Sequence, residues 1–107
     1  MLYPINVVNK RTFKGDGIYI GRPSILGNRF IAKTRQEVDR QEVISQYKKW
    51  LWNNRNQPAI KKELDRLFDL VQKQELNLIC WCAPKSCHGD IIKDYLIWRH
   101  NNENQHT

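Results

Sequence analysis

The apolar stretch at residues 76–82 constrains the fold of this chain more than any other feature. Its side chains alternate, so that Leu78, Cys80 and Cys82 point to one side and Ile79 and Trp81 to the other. Both sides are apolar, and we therefore expect both to be covered by other parts of the chain. A strand covered on both faces is typical of the interior of an α/β sheet.

Strand signals also occur near the beginning of the chain. Residues 4–9 are rich in β-branched side chains, and residues 18–20 form a short apolar run after a glycine-containing turn at 14–17. A further short strand is expected near Phe30 and Ile31. We therefore predict an α/β fold, with a small single-domain sheet of three or four strands covered by about three helices.

Three segments have the spacing of amphipathic helices. The first follows a capping-box pattern at residues 34–37 and ends near residues 53–54, the second begins at Pro58, and the third covers residues 91–98. We predict one domain over residues 1–100 and a polar, frayed tail at 101–107. Trp50, Trp81 and Trp98 lie at core-like positions, which leaves Trp52 as the exposed tryptophan.

Positive charge is concentrated in the first third of the chain. The formal net charge is +7, and residues 1–35 hold seven basic side chains and one acidic side chain, a net of +6. Such a field concentrates anionic ligands, and phosphate-bearing molecules are the usual candidates. A surface that merely keeps the protein in solution is the alternative.

A cluster of cysteine, histidine and aspartate lies at the predicted junction of the last strand and the last helix. Ser86 is predicted to cap this helix, which would place Cys87 at its first position, where the helix dipole lowers the pKa of a thiol. We predict Cys87 as nucleophile or ligand contact, His88 as general base and Asp90 as the group that orients His88. Cys82, at the end of the strand, belongs to the same candidate catalytic group.

Two other uses of the cluster stay open. Cys80, Cys82, Cys87 and His88 would supply four ligands to a zinc ion, although their spacing lacks the usual zinc-knuckle pattern. The other use is purely structural, with Cys80 as a small core residue. A complete disulfide framework is not expected, because the number of cysteines is odd and we expect reduced thiols.

The loop at residues 19–30 is the second candidate site. Gly21 and Gly27 would let the backbone approach a ligand closely. Arg22 is predicted to pair with a phosphate group, and Ser24 and Asn28 to contact polar edges of the ligand. An ordinary strand-to-helix connection is the alternative interpretation.

Three further residues complete the predicted ligand-binding set. Asn9 and Arg11 stand at the end of the first strand, where they would join the same edge of the sheet as the glycine loop. Lys85 lies beside Cys87 and would add a positive charge to that end of the site.

These segments together resemble a family of bacterial and phage proteins catalogued as domain of unknown function 4326. Its members look like V-x-N-x-R, then Y-I-G-R-x-S-x-L-G-N-x-F, then C-W-C-x-P-x-x-C-H-G-D, which correspond here to residues 7–11, 19–30 and 80–90. This chain has Pro23 where the family pattern has glycine, and Ile25 and Arg29 where it has prolines. The family brings no established reaction, so the resemblance supports the location of the site far more than its function.

We therefore expect a protein that binds a phosphate-bearing ligand between the glycine loop and the start of the last helix. A nucleotide, a modified nucleoside or a nucleic-acid end would fit, and an enzyme would be a Cys/His-dependent hydrolase or transferase. The alternative is a non-enzymatic module that binds nucleic acid or protein, such as a zinc-clipped phage accessory or inhibitor protein. The sequence has no membrane-spanning run and no signal peptide, so we expect a cytoplasmic protein, in the host cytoplasm if it is phage-encoded.

Overall fold

A parallel three-stranded sheet forms the centre of the computed structural model, which describes residues 1–83 and 85–105. Strands β1 (Ile5–Asn9), β2 (Ile18–Tyr19) and β3 (Leu76–Cys80) lie in the order β1-β3-β2. Ile5 pairs with Leu76, and Ile18 pairs with Leu78. The α/β fold is confirmed with three strands. Phe30 and Ile31, where a fourth was expected, lie in irregular backbone.

The central strand β3 buries one face more deeply than the other. Leu76, Leu78 and Cys80 are fully buried, whereas Asn77 and Ile79 are only half-buried. The second face is covered only in part. The loop before β2 lies against it, because a Cβ atom on Gly17 would lie 2.9 Å from the Cδ1 atom of Ile79.

The same strand ends two residues earlier than predicted. Asn9 Nδ2 donates hydrogen bonds to the carbonyl oxygens of Trp81 (3.1 Å) and Ala83 (2.8 Å). These carbonyl groups bond to a side chain and not to a neighbouring strand, so the ladder stops at Cys80.

Three helices pack with the sheet: α1 (Glu37–Asn54), α2 (Pro58–Val71) and α3 (His88–Gln105). Helix α2 begins at the proline that the sequence indicated, since proline lacks the N–H that the first turn leaves unpaired. Each fully buried aliphatic side chain stabilises the fold by about 1.5–3 kcal/mol. The predicted apolar face of α2 is buried in full: Ile60, Leu64, Leu67, Phe68 and Val71.

The start of α1 and the C-terminal end of α3 differ from the sequence prediction. Thr34 Oγ1 accepts a hydrogen bond from the backbone N–H of Gln36 and also bonds to Asp39, so it orders the segment before α1, which starts at Glu37. Helix α3 continues through residues 101–105, so the described part of the predicted frayed tail is helical. The final two residues of that tail lie outside the described residues.

The tryptophans also differ from expectation. Trp81 and Trp98 have 51% and 42% of their surface exposed. Trp52, predicted to be exposed, is half-buried and packs edge-on against Trp98, with 4.7 Å between ring centroids. Within the described residues, no helix has the length and hydropathy needed to cross a membrane.

Candidate functional site

The carboxyl ends of the three parallel strands bring both sequence motifs to one edge of the sheet. Strand β2 leads into the glycine loop and the central strand β3 leads into the cysteine segment. Strand β1 ends at Asn9, on the other side of β3. Ligands of parallel α/β sheets commonly bind at this edge.

A cavity of about 640 Å³ lies at this edge, between the glycine loop, the start of α3 and the first turns of α1. It brings together six of the predicted site residues, namely Gly21, Arg22, Asn28, Cys82, Cys87 and His88. The other lining residues are Tyr19, Phe30, Ala32, Lys33, Thr34, Arg35, Arg40, Val43, Ile44, Trp81 and Ser86.

The glycine loop is built from two successive turns. The N–H of Ser24 donates to the carbonyl of Gly21, and the N–H of Gly27 donates to the carbonyl of Ser24, both at 2.8 Å. A Cβ atom on Gly27 would lie 3.0 Å from the carbonyl oxygen of Ser24, so close packing requires glycine there. Ser24 Oγ accepts from the N–H of Leu26 at 3.2 Å. Ser24 and Gly27 therefore shape the loop and are not part of the cavity lining.

Arg22 and Asn28 line the cavity, but much of their bonding capacity is used within the loop. Arg22 Nε donates to the carbonyl of Asn28 at 2.6 Å, and its Nη2 donates to the carbonyl of Phe30 at 3.3 Å. Asn28 Oδ1 accepts from the N–H of Phe30 at 2.9 Å. These bonds fix the shape of the wall beside the start of α3.

The remaining predicted ligand contacts lie outside the cavity lining. Asn9 connects the ends of β1 and β3, and its Oδ1 accepts from the N–H of Arg11 at 2.8 Å. The Arg11 guanidinium lies over the Trp81 ring, 5.8 Å from its centroid. Lys85 is exposed, and its backbone N–H donates to the carbonyl of Cys82 at 2.9 Å.

The start of α3 is a reciprocal cap formed by Cys87 and Asp90. Cys87 Sγ accepts from the N–H of Gly89 at 3.3 Å, and Asp90 Oδ2 accepts from the N–H of Cys87 at 3.0 Å. This is the geometry of a capping box with a thiol in place of a hydroxyl. The helix thus begins one residue later than predicted, at His88. Asp90 was predicted to orient His88, but the hydrogen bond of its carboxylate goes to the backbone of Cys87.

The thiols of Cys80 and Cys87 form a hydrogen bond beside the start of α3, in which either sulfur can be the donor. The Cys87 Sγ lies 3.2 Å from that of Cys80, and only 3% of Cys87 is exposed. Hydrogen bonds with Cys80 and Cys82, followed by burial, raise the pKa of Cys87. The structure therefore contradicts the expectation of a lowered pKa at this position: burial and thiol neighbours outweigh the helix dipole.

Cys82 has the lowered thiol pKa that the sequence predicted for Cys87. The hydrogen bond from Cys87 and the adjacent Arg40 guanidinium lower the pKa of Cys82 to about 6, against the effect of its burial. The hydrogen bond with Cys87 lowers the pKa of Cys80 to about 6 as well, but Cys80 is fully buried and is not part of the cavity lining. Cys82 is half-buried and lines the cavity, so it is the accessible thiol with a lowered pKa.

His88 is 6% exposed and is held in one orientation. Its Nε2 lies 2.7 Å from the carbonyl oxygen of Ile20, and since a carbonyl only accepts, Nε2 carries the hydrogen. The edge of the ring packs against Tyr47, with 5.1 Å between centroids. Burial lowers the pKa of His88, so the ring is neutral at neutral pH and Nδ1 carries the lone pair. Its predicted role as a general base stays a prediction.

Arg40 is the main site residue that sequence reasoning missed. Its Nε is buried and has no hydrogen-bond partner among the described residues, although Glu37 Oε2 lies 3.5 Å away. Its Nη1 is 3.5 Å from the carbonyl oxygen of Ser86. The sequence did contain a sign of its role. Arg40 has the helical spacing that places it on one face with Val43, Ile44 and Tyr47, so an arginine interrupts an apolar face there. Lys33 and Arg35 were counted as basic charge but not assigned to the site.

The zinc alternative gains no support from the side-chain arrangement. Within residues 1–83 and 85–105, no group of three or more His, Cys, Asp or Glu side chains is placed to hold a metal ion. Nε2 of His88 faces a carbonyl oxygen, and the Cys87 thiol is hydrogen-bonded to that of Cys80.

The comparisons with known proteins agree with the sequence motifs. Neither a curated protein nor a solved structure matches the chain. One family model, described as a domain of unknown function (DUF4326), matches residues 5–98, which include both loops of the cavity and its helical wall. The chain belongs to this family.

Proposed function

We propose that the cavity binds a phosphate-bearing ligand, namely a nucleotide, a modified nucleoside or the end of a nucleic acid. The observation that carries this proposal is the Arg40 guanidinium, which lines the cavity and has a buried Nε without a hydrogen-bond partner among the described residues. Glu37 Oε2 forms an ion pair with this Nε but lies 3.5 Å away, beyond good hydrogen-bond distance. An anion in the cavity would supply the missing hydrogen bond, whose absence costs about 1–3 kcal/mol. Phosphate matches the planar fork of a guanidinium.

The composition of the walls supports the same class of ligand. Lys33 and Arg35 add two cations to the side that carries Arg40, while Phe30, Val43 and Ile44 provide an apolar surface. A lining that combines cations with apolar side chains suits a molecule with a phosphate and a planar ring. The cavity volume of about 640 Å³ falls within the usual range for small-molecule sites.

Titration calorimetry with a panel of nucleoside 5′-monophosphates and the matching nucleosides tests this proposal. The monophosphates should bind more tightly than the nucleosides, and Arg40→Gln should weaken monophosphate binding about tenfold or more. Arg66→Gln is the matched control, because Arg66 lies on α2 and pairs with Glu63 at the surface. Equal binding by nucleosides and monophosphates, or equal losses in the two variants, would refute a phosphate site at Arg40.

A second candidate function, catalysis by Cys82, is favoured by the state of its thiol. A thiolate near neutral pH that lines a ligand cavity is a competent nucleophile. We propose that, if the ligand is processed, the Cys82 thiolate attacks an electrophilic atom of the ligand and forms a bond to it, while the bond from that atom to its leaving group breaks. Water, or an acceptor hydroxyl in a transfer reaction, then displaces the sulfur and restores the thiolate, and His88 Nδ1 is the candidate acceptor of the proton that this hydroxyl loses. A Cys82→Ser variant that binds the ligand with unchanged affinity but does not convert it would support this role; one that still converts it would exclude it.

A further inference from the structure

Trp81 is an exposed aromatic side chain at the boundary of the cavity. It lines the cavity, yet 51% of its surface is accessible to solvent. It is part of the motif C-W-C at residues 80–82, and neither the fold nor the proposed cavity chemistry requires a large aromatic ring at this position.

The ring is held in place from two sides. Its Nε1 donates to the hydroxyl of Tyr19 at 3.1 Å, and that hydroxyl donates to the carbonyl of Arg22 at 2.8 Å. The backbone carbonyl of Trp81 accepts from Asn9 Nδ2 at 3.1 Å. An aromatic surface fixed in this way loses little conformational entropy when a flat group stacks on it.

Two cations outside the cavity lining accompany the rings of Tyr19 and Trp81. Lys10 Nζ lies 4.8 Å from the ring centroid of Tyr19 and 5.6 Å from that of Trp81. The Arg11 guanidinium lies 5.8 Å from the centroid of Trp81. Both side chains are exposed and neither is part of the cavity lining, so they are placed to contact a ligand that extends beyond the cavity.

We propose that Lys10, Arg11, Tyr19 and Trp81 form a second nucleotide subsite, so that the ligand is a single-stranded nucleic acid whose terminal nucleotide occupies the cavity. This inference rests on the proposed phosphate site. Exposed aromatic rings flanked by cations are the usual surface for single strands, since every base has a face that stacks and every linkage carries a charge. A mononucleotide would fill the cavity and leave this subsite empty.

Binding of an oligonucleotide and of a mononucleotide tests the two sites separately. The probes are fluorescently labelled oligothymidylate and oligouridylate of about eight nucleotides, with thymidine and uridine 5′-monophosphate as competitors. We expect at least one oligonucleotide to bind about tenfold or more tightly than its mononucleotide. The DNA and RNA probes distinguish the two sources of this ligand chemistry.

The double variant Lys10→Gln/Arg11→Gln isolates the subsite, because both side chains are exposed and lie outside the cavity. It should weaken oligonucleotide binding about tenfold and reduce the slope of log K against log salt concentration by about 1.4, while mononucleotide binding stays unchanged. The matched control is Lys48→Gln/Lys49→Gln, which removes the same charge from exposed positions of α1 and should have a much smaller effect.

The possible results distinguish a failure of the subsite from a failure of the cavity proposal. The subsite is refuted if oligonucleotides bind no more tightly than mononucleotides. It is also refuted if the Lys10→Gln/Arg11→Gln variant and its control lose oligonucleotide affinity equally. Neither result contradicts the proposal for the cavity. If neither probe binds, both proposals fail. Trp81→Ala provides a second check, with a folded protein confirmed by circular dichroism, and should weaken binding of the oligonucleotide more than that of the mononucleotide.

Discussion

At the scale of single residues, the site depends on the pairing of Arg40 with Cys82. Arg40 belongs to α1 and Cys82 follows β3. The fold therefore brings a cation and a thiol together although they are remote in the chain. Local sequence could place a reactive thiol within residues 80–87, but it could not decide which one. That choice depends on burial and on Arg40, which is remote in the chain.

Alkylation of Cys82 should therefore begin at a lower pH than alkylation of an ordinary thiol. We expect the rate of iodoacetamide modification to be half-maximal near pH 6, as the lowered pKa of Cys82 requires. Arg40→Gln should shift this midpoint upward, because it removes the cation beside the thiolate. Mass spectrometry of alkylated peptides identifies the reacting residue. Modification that begins at Cys87, or a midpoint in the ordinary thiol range, would contradict this assignment.

Asn9 has a structural function that the sequence motif did not reveal. It was predicted as a ligand contact, and the structure instead connects its amide to backbone groups of Arg11, Trp81 and Ala83. Asn9→Ala should destabilise the protein by about 1 kcal/mol, because it removes three hydrogen bonds, of which the one to Ala83 is partly buried and the other two are exposed. Urea unfolding measures the change. Asn53→Ala, at an exposed position of α1, is the control and should change stability by less than about 0.5 kcal/mol.

At the scale of elements, the start of α3 shows how capping fixes the site. Cys87 Sγ accepts from the N–H of Gly89 and the Asp90 carboxylate accepts from the N–H of Cys87, and these bonds hold the Cys87 thiol against that of Cys80. Sequence periodicity predicted this helix and its first turn, but it assigned Ser86 as the cap. The difference arises because a thiol is a weak acceptor that propensity scales rarely favour as a cap.

Removal of the Asp90 carboxylate should destabilise the helix start. Asp90→Ala should cost about 1 kcal/mol in urea unfolding, since it removes a capping bond and a favourable charge from the first turn. Asp94→Ala is the matched control, because Asp94 is exposed one turn later in the same helix. Equal effects of the two substitutions would show that the carboxylate of Asp90 does not cap α3.

Helices and strands themselves were largely predictable from the sequence, and their arrangement was not. The apolar face of α2 and the three strands follow from local periodicity. The order β1-β3-β2 depends on pairs such as Ile5 with Leu76, which are remote in sequence, so local patterns carry no information about it. The capping box predicted at residues 34–37 does not form, because α1 begins at Glu37 and the Thr34 side chain bonds instead to the N–H of Gln36 and to Asp39.

At the scale of the whole molecule, the titration of Cys82 and His88 makes the free energy of unfolding depend on pH. Cys82 has a folded pKa near 6 and an ordinary value of 9.0, and burial lowers the pKa of His88 below 6.5. Both groups therefore bind fewer protons in the folded state than in the unfolded state at intermediate pH. A lowered folded pKa gives stability that is present above the unfolded pKa and is lost as pH falls through the folded pKa.

The free energy of unfolding should therefore rise with pH between about 6 and 9. Cys82→Ser should flatten this rise, whereas His88→Gln should reduce only the loss of stability below pH 6.5. Urea unfolding in the presence of a reductant, at a series of pH values, measures both effects. If the free energies of unfolding of the wild type and of Cys82→Ser depend on pH in parallel, Cys82 is not a thiolate in the folded protein.

The charge distribution has a consequence that only the folded molecule reveals. Most of the excess positive charge lies in residues 1–35, and the structure adds Arg40 from the balanced remainder to the same cavity. The sequence predicted the two loops as opposing walls, and the cavity is lined by both of them and by α1. It could not predict the third wall, since the position of α1 is set by tertiary packing.

The Arg40 side chain itself can report on the ligand. In a ¹H–¹⁵N NMR titration with a nucleoside 5′-monophosphate, the Nε–H resonance of Arg40 should shift strongly, together with the amides at residues 21–28 and 86–89. This result is expected because the buried Nε has no hydrogen-bond partner among the described residues until an anion enters the cavity. A titration that leaves the Arg40 resonance unchanged, with shifts spread over surface lysines and arginines, would contradict the proposed site.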